Sequence, residues 1–206
     1  MTSGTATRRR NEREEHRLRA TTQDASVRRR RRGGAAWALG LVVVTGLVVA
    51  GLLSAQPTES ADVRVAPPFT LESTDGATVS LADFRGSPVV LYFNEGAGCD
   101  SCLIQMAEIE RDPGFAEAGI RVLPIVMNPR EQIAGEMERL GVQTPFLLDD
   151  GSVSDVYGTL GAGMHEGLPG HGFVLIDGEG VQQWYGNYPS MWLAPVELLE
   201  LVLAKL

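Results

Sequence analysis

The chain has 206 residues, which is enough for one folded domain of about 150 residues plus an extension, and its formal net charge is −8. The charge is unevenly divided: residues 1–34 contain eleven Arg and four acidic residues, whereas the part from Ser54 onward contains seven basic and twenty-two acidic residues. Binding of nucleic acid needs a basic face on a folded domain, so this acidic balance argues against nucleic acid as a partner.

The N-terminal third predicts a tail and a membrane segment. Residues 1–34 are rich in Arg, Thr and Ser, and this composition predicts a disordered tail. Residues 35–53 carry no charge and are long enough to cross a bilayer as a transmembrane helix. Because the Arg residues lie on one flank only, the positive-inside rule predicts a cytoplasmic N-terminus and an extracytoplasmic C-terminal part. A cleaved signal peptide is the alternative, which the long leader disfavours; residues 54–66 are predicted to be a linker.

A predicted globular domain covers residues 67–206. Its first element is a β-hairpin, because Phe69–Leu71 and Thr78–Leu81 flank the turn signal Asp75-Gly76. The apolar run Val89–Phe93 is then predicted to be a buried central strand.

Signals for a helix, a strand and a second helix follow. Apolar side chains recur at helical spacing from about Cys99 to Glu110. Ile120–Met127 is a second apolar strand, in which Pro124 indicates an edge position or a bulge. A polar-faced helix over Glu131–Leu140 is ended by Gly141.

Shorter elements complete the domain. A short strand at 146–151, a helical turn at 152–157 and a Gly-rich loop at 158–172 precede a hairpin formed by Phe173–Ile176 and Val181–Tyr185. Pro195 begins a last helix, and the side predicted to be buried carries Val196, Leu198, Leu199, Val202 and Leu203. This order of strands and helices predicts an α/β domain with a mixed central sheet and flanking helices.

The chain contains two cysteines, Cys99 and Cys102, where the central strand leads into a helix. A structural disulfide is one interpretation, but so small a loop adds little stability. A Cys-x-x-Cys pair in a strand–helix context is more typical of redox chemistry. Zinc needs about four ligands, whereas the two cysteines and His171 provide three. We therefore predict no metal and no cofactor.

Further motifs follow one another in a fixed order. They are Ala-Pro-Pro-Phe-Thr-Leu at 66–71, Asp-Gly at 75–76, Val-Ser-Leu-Ala-Asp-Phe-Arg-Gly at 79–86, Thr-Pro-Phe-Leu-Leu-Asp at 144–149, Tyr-Gly at 157–158 and Phe-Val-Leu-Ile-Asp-Gly-Glu-Gly at 173–180. Together with the Cys pair, the set resembles the thioredoxin-like redoxin superfamily, which includes the AhpC/TSA proteins and the TlpA-like membrane-anchored thiol–disulfide oxidoreductases of cytochrome maturation. The resemblance covers about residues 67–206 and implies a thioredoxin-like fold.

Three positions depart from the pattern of that superfamily. Gly98 replaces the Trp that usually precedes the first Cys, and Gly96 stands where the peroxidase branch has Thr or Ser. The cis-Pro that normally faces the disulfide falls at His171 by position, with Pro169 two residues earlier. Pro169 and His171 are therefore candidate supporting residues near the pair.

The two cysteines are assigned different roles. A helix N-terminus lowers the pKa of a thiol, so Cys99 is predicted to be the nucleophile and Cys102 the residue that resolves the mixed disulfide. The carboxylates of Asp100 and Glu95 are expected to raise the thiol pKa, which favours a reducing pair. Both cysteines are thus the predicted catalytic residues and form the predicted redox-active disulfide.

These observations support three hypotheses. The first is a membrane-anchored, extracytoplasmic thiol–disulfide oxidoreductase acting on protein thiols, with apocytochrome c among the candidate partners. The second is a peroxiredoxin-like antioxidant peroxidase. The third is a copper-binding assembly factor for cytochrome oxidase, with Cys99, Cys102 and His171 as ligands. The sequence leaves open the electron donor, the direction of electron flow and the oligomeric state.

Overall fold

The computed structural model describes residues 37, 39–54, 56–61, 63–161 and 166–206. The chain forms two compact units, Met1–Ser54 and Ala55–Leu206. In the first unit, residues 39–54 are helical, and their apolar side chains are exposed. Across the described part of the chain, no helix has both the length and the apolar character needed to cross a membrane. The predicted tail, and residues 35, 36 and 38 of the predicted membrane segment, lie outside the described residues.

The second unit is built on one mixed sheet. Its strands are β1 (Thr58–Ser60), β2 (Arg64–Val65), β3 (Thr70–Ser73), β4 (Thr78–Ser80), β5 (Val89–Phe93), β6 (Arg121–Val126), β7 (Leu147–Leu148), β8 (Gly172–Ile176) and β9 (Val181–Asn187). They lie in the order β1-β9-β8-β5-β6-β7-β3-β4, and β2 also pairs with β9. The predicted hairpins correspond to β3–β4 and β8–β9.

The helices of this unit come between the strands, except the last one, which follows β9. They are a 3-10 helix (Leu81–Phe84), α1 (Asp100–Arg111), α2 (Pro113–Glu117), α3 (Arg130–Leu140), α4 (Ser152–Val156) and α5 (Pro195–Leu203). Helix α3 ends as predicted, with Gly141 in the left-handed region at φ 72°, which suits a residue without a Cβ. The predicted α/β arrangement is therefore present.

Strand β5 lies at the centre of the sheet, as its apolar sequence predicts. It runs parallel to β6 and antiparallel to β8, and all five of its side chains are buried. Because side chains alternate along a strand, Val90 and Tyr92 join one apolar cluster, whereas Val89, Leu91 and Phe93 join the other. Burial of an apolar side chain of this size contributes about 1.5–3 kcal/mol, so β5 fixes the frame in which the cysteine pair is held.

The edge position expected from Pro124 is wrong, because β6 lies between β5 and β7. The carbonyl of Val126 accepts the N–H of Asp149 on the β7 side, and backbone groups two residues apart point the same way. Pro124 therefore faces the β7 side, but β7 pairs only with Ile125 and Val126. The missing N–H of Pro124 consequently lies beyond the end of β7, where no partner is needed.

The predicted linker, residues 54–66, instead contributes β1 and β2 to the edge of the sheet. A carboxylate in β1 fixes this pairing, since Glu59 accepts hydrogen bonds from Trp184 Nε1 and from Tyr188 Oη, both at 3.1 Å. The pairing joins residues more than a hundred positions apart, so local composition did not reveal it.

The buried side of α5 is narrower than predicted. Leu198 and Val202, four residues apart, are fully buried, whereas Val196 and Leu203 are about half exposed. At 3.6 residues per turn, the five predicted positions span about 160° of the helix circumference. The domain fully covers only the part of this arc that contains Leu198 and Val202.

Candidate active site

A turn between β5 and α1 presents the cysteine pair. The side chain of Asn94 holds the turn, because its Oδ1 accepts the N–H of Gly96 at 3.0 Å and its Nδ2 donates to the carbonyl of Tyr92 at 3.2 Å. Asn128, which follows β6, accepts the N–H of Ala97 at 3.0 Å. Two asparagines at the carboxyl ends of neighbouring strands therefore replace the backbone partners that the turn lacks.

Glycine at position 96 is required by this turn. Gly96 has a φ of 67°, and a Cβ built there would overlap Asn128 Oδ1 and Val126 Cγ1. Positive φ disfavours residues with a side chain. The position at which the peroxidase branch carries a hydroxyl is thus closed to any side chain in this backbone conformation.

Cys99 and Cys102 are joined by a disulfide at the N-terminus of α1, with their Cα atoms 5.4 Å apart. Cys99 is the residue that precedes α1 and is partly exposed, whereas Cys102 lies in the first turn and is fully buried. Unpaired N–H groups at a helix N-terminus stabilise a thiolate. The geometry gives an incoming thiol access to Cys99 and hides Cys102.

The charge of Asp100 is balanced by a residue that sequence reasoning missed. Arg139, on α3, contacts both carboxylate oxygens of Asp100 and also binds Glu136. The hydrogen bond from Arg139 lowers the pKa of Asp100 below its usual value. The sequence-based expectation that the charge of Asp100 raises the pKa of the thiol did not include Arg139, whose positive charge balances that carboxylate.

Tyr92 and His171 form a buried polar group against Cys102. Tyr92 Oη donates to the carbonyl of Cys102 at 3.1 Å and lies 3.1 Å from His171 Nδ1. His171 Nδ1 is in turn 3.7 Å from Cys102 Sγ. The Tyr92 ring also stacks on Phe173, with 4.6 Å between centroids.

Burial sets the protonation of both side chains. Desolvation lowers the pKa of His171 to about 4, so its imidazole is neutral near pH 7. Desolvation, together with the charge of Glu95, raises the pKa of Tyr92 well above its ordinary value, so the phenol keeps its proton. The site therefore contains a neutral base and a neutral donor beside the buried sulfur.

The structure separates the two supporting residues proposed from sequence. His171 contacts Cys102, whereas Pro169 is buried and pairs through its backbone with Leu160. The described residues contain no cis peptide bond. His165, in the same Gly-rich loop, lies outside the described residues.

The copper-binding hypothesis requires three ligands placed around one ion. In the described ranges, no three His, Cys, Asp or Glu side chains are placed to hold a metal ion, and both sulfurs are bonded to each other. The arrangement gives no support to the copper-binding hypothesis.

Sequence reasoning identified the two cysteines and His171 but missed Tyr92, Asn94 and Asn128. One signal was available for the first two: both are polar residues at or just after the end of an otherwise apolar strand. Asn128 could not be located in this way without knowing that β6 lies beside β5.

A family model described as the AhpC/TSA family matches residues 64–184 of this chain. A Mycobacterium tuberculosis protein named "Putative peroxiredoxin Rv2521" is 37% identical over 98 residues, which cover 47% of this chain and 62% of that protein. The chloroplastic peroxiredoxin Q of Triticum aestivum is 32% identical over 133 residues, covering 60% of this chain and 57% of that protein. The chain thus spans less than two thirds of these curated relatives.

Solved structures share the thioredoxin-like fold. The crystal structure of peroxidoxin BcpB from Mycobacterium tuberculosis superposes with a TM-score of 0.57 at 22% identity, covering 69% of this chain and 94% of that one. The solution structure of a protein described as a "putative protein disulfide isomerase", from Bacteroides thetaiotaomicron, gives a TM-score of 0.53 at 26% identity, covering 70% of this chain and 91% of that one.

Proposed function

The chain belongs to the AhpC/TSA family, and from this premise we propose that it is a thiol–disulfide oxidoreductase that exchanges disulfides with protein thiols through Cys99 and Cys102. One observation carries the proposal: a partly exposed sulfur at a helix N-terminus is bonded to a fully buried sulfur one turn further on. Because only Cys99 is accessible, it is the sulfur that reacts with the partner protein, and Cys102 is the sulfur that re-forms the internal disulfide.

The exchange proceeds in two balanced steps. A partner thiolate attacks Cys99, a bond forms between the two sulfurs, and the bond between Cys99 and Cys102 breaks, so that Cys102 leaves as a thiolate and takes up a proton. A second partner thiolate then displaces Cys99, which leaves the partner oxidised and the pair reduced. In the opposite direction the reduced pair attacks a partner disulfide through Cys99, and Cys102 closes the ring.

Peroxide reduction is the second candidate, and the names of the curated relatives favour it. Cleavage of a peroxide bond benefits from a donor aimed at the oxygen on which charge develops. The hydroxyl that the peroxidase branch carries three residues before the cysteine is absent here, because Gly96 occupies that position and Asn128 fills the space beside it. We therefore place disulfide exchange first.

We further propose that the domain acts outside the cytoplasm, anchored by residues 35–53. The asymmetry of the Arg residues and the absence of charge in 35–53 support this topology. The partners would then be secreted or membrane proteins with exposed cysteines, with apocytochrome c among them. A membrane-impermeant thiol reagent, added to intact cells after mild reduction, is expected to label Cys99; labelling only after lysis would contradict this topology.

The activity is tested with the full-length chain and two variants. The wild type is expected to reduce a model protein disulfide in the presence of dithiothreitol, and Cys99→Ser to abolish this turnover. Cys102→Ser is expected to accumulate a mixed disulfide with the partner, because the resolving sulfur is gone. Peroxide consumption without disulfide exchange would favour the peroxidase, and a pair that neither dithiothreitol nor glutathione reduces would exclude both.

A further inference from the structure

Cys102 has to lose a proton in a place that water does not reach. Its side chain is fully buried in an apolar cluster that also contains residues of β5 and β8, and burial in apolar surroundings raises the pKa of a thiol. In the closing step of disulfide exchange this sulfur must nevertheless attack as a thiolate. A protein side chain therefore has to accept the proton.

We propose that His171 is the base that takes the proton from the Cys102 thiol as Cys102 attacks the mixed disulfide on Cys99, and that Tyr92 orients and stabilises the imidazole. The inference rests on the proposed disulfide exchange and assigns a further catalytic residue to it. It stands on geometry, since His171 Nδ1 lies 3.7 Å from Cys102 Sγ and 3.1 Å from Tyr92 Oη.

The hydrogen bonds around Tyr92 define the direction in which the proton moves. The hydroxyl of Tyr92 donates to the carbonyl of Cys102, so its oxygen lone pairs remain available toward His171 Nδ1. An unprotonated Nδ1 accepts the S–H proton of Cys102, and the new Nδ1–H then has Tyr92 Oη as an acceptor. The attraction between the thiolate and the imidazolium that form offsets part of the desolvation cost of charging them, because the two charges are in contact in a medium of low dielectric constant.

The step balances in atoms and electrons. The Cys102 sulfur forms a bond to Cys99 Sγ, the bond between Cys99 and the partner sulfur breaks, and the partner leaves with the electron pair as a thiolate. The proton stays on His171 and passes to the leaving thiolate or to solvent. In the reverse direction, Cys102 leaves as a thiolate and His171 returns the proton.

The surroundings of His171 favour a neutral imidazole before the reaction. His171 immediately precedes β8 and packs edge-on against Tyr92 from β5 and Phe173 from β8, and its carbonyl accepts the N–H of Tyr188. Among the described residues, the titratable side chains that contact the ring are Cys102 from α1 and Tyr92 from β5, and Tyr92 is itself kept protonated by burial. Burial lowers the pKa of His171 to about 4, so the base is unprotonated at neutral pH.

The test follows the two halves of one reaction separately. The reduced full-length chain is mixed with 5,5′-dithiobis(2-nitrobenzoate) in a stopped-flow instrument. Attack by Cys99 releases a first thionitrobenzoate and leaves a second bound as a mixed disulfide. Attack by Cys102 then releases the second one. The two phases report on the two sulfurs in the same sample, so the first phase is an internal control for the second.

His171→Asn keeps a polar group near the Nδ1 position but removes the base. It is expected to slow the second phase by about a hundredfold at pH 7, the lower part of the range for general base catalysis, while the first phase keeps its rate. The second phase of the variant should rise about tenfold per pH unit, because only the spontaneously ionised thiol reacts. That of the wild type should change little between about pH 6 and 8.

Three results would overturn the inference. One is an unchanged second phase in His171→Asn, and another is an equal slowing of both phases. The third needs no variant: a wild-type second phase that rises tenfold per pH unit like an unassisted thiol. Tyr92→Phe, which keeps the ring stack on Phe173, is expected to slow the second phase by a smaller factor. If no second phase occurs in the wild type, disulfide exchange itself fails, and this outcome is distinct from the other three.

Discussion

Acidification from about pH 7 to pH 4 is expected to destabilise the oxidised chain through His171. The side chain is 1% exposed, and burial lowers its pKa from 6.5 to about 4. The unfolded chain therefore binds a proton near pH 6.5, whereas the folded chain resists protonation until about pH 4. The stabilisation from neutral His171 is complete above pH 6.5 and is lost as the pH falls toward 4. At about 1.36 kcal/mol per pKa unit, the loss amounts to about 3 kcal/mol.

Urea denaturation of the oxidised full-length chain measures this loss. Trp184 is 1% exposed, so its fluorescence reports on the unfolding of the redox domain. The free energy of unfolding is compared between pH 7 and pH 4 for the wild type and for His171→Asn, which has every carboxylate of the wild type but not the imidazole. The wild type should lose about 3 kcal/mol more than the variant over this range. An equal loss in the two proteins would show that His171 is not held neutral by burial.

Two substitutions test the contacts that hold the site. Gly96→Ala is expected to destabilise the chain by about 1–3 kcal/mol, because φ is 67° and the new Cβ would overlap Asn128 Oδ1. Glu59→Gln is expected to cost about 1 kcal/mol, since it weakens the charge-assisted hydrogen bonds from Trp184 Nε1 and Tyr188 Oη.

Matched controls accompany both substitutions. Gly98→Ala is also at positive φ, at 100°, but its Cβ would meet no atom within 4 Å, so it isolates backbone strain from the overlap at position 96. A smaller loss in Gly96→Ala than in Gly98→Ala would refute the overlap argument. For Glu59→Gln, the control is Glu72→Gln, which removes a strand carboxylate that pairs with Arg130 at the surface. If Glu72→Gln lowers the free energy of unfolding as much as Glu59→Gln does, the hydrogen bonds of Glu59 do not stabilise the domain more than a surface ion pair does.

The elements that the sequence predicted well are those specified by local pattern. Strand β5, helix α1 and the β8–β9 hairpin each carry an apolar period or a turn signal within their own residues. The cysteine pair could be located for the same reason, because a strand and a helix flank it directly.

What the sequence did not predict depends on pairing between distant segments. The β1–β9 ladder joins Thr58 to Asn187, and the ion pair of Arg139 with Asp100 joins α3 to α1. The edge position predicted from Pro124 was wrong, because proline is excluded from a central strand only where its missing N–H would need a partner. Strand β7 pairs only with the end of β6, beyond Pro124. Each of these contacts joins segments that are distant in the sequence, so its partner can be identified only when the arrangement of the strands and helices is known.

The departures at Gly96 and His171 affect two different sulfurs, and together they favour disulfide exchange over peroxide reduction. Peroxide chemistry takes place at the exposed sulfur, Cys99, and benefits from a donor beside it; the turn that carries Gly96 leaves no room for the hydroxyl of the peroxidase branch. Disulfide exchange also requires proton transfer at the buried sulfur, Cys102, and His171 supplies a neutral nitrogen 3.7 Å away. These two features support the proposal that the site exchanges disulfides rather than reduces peroxide.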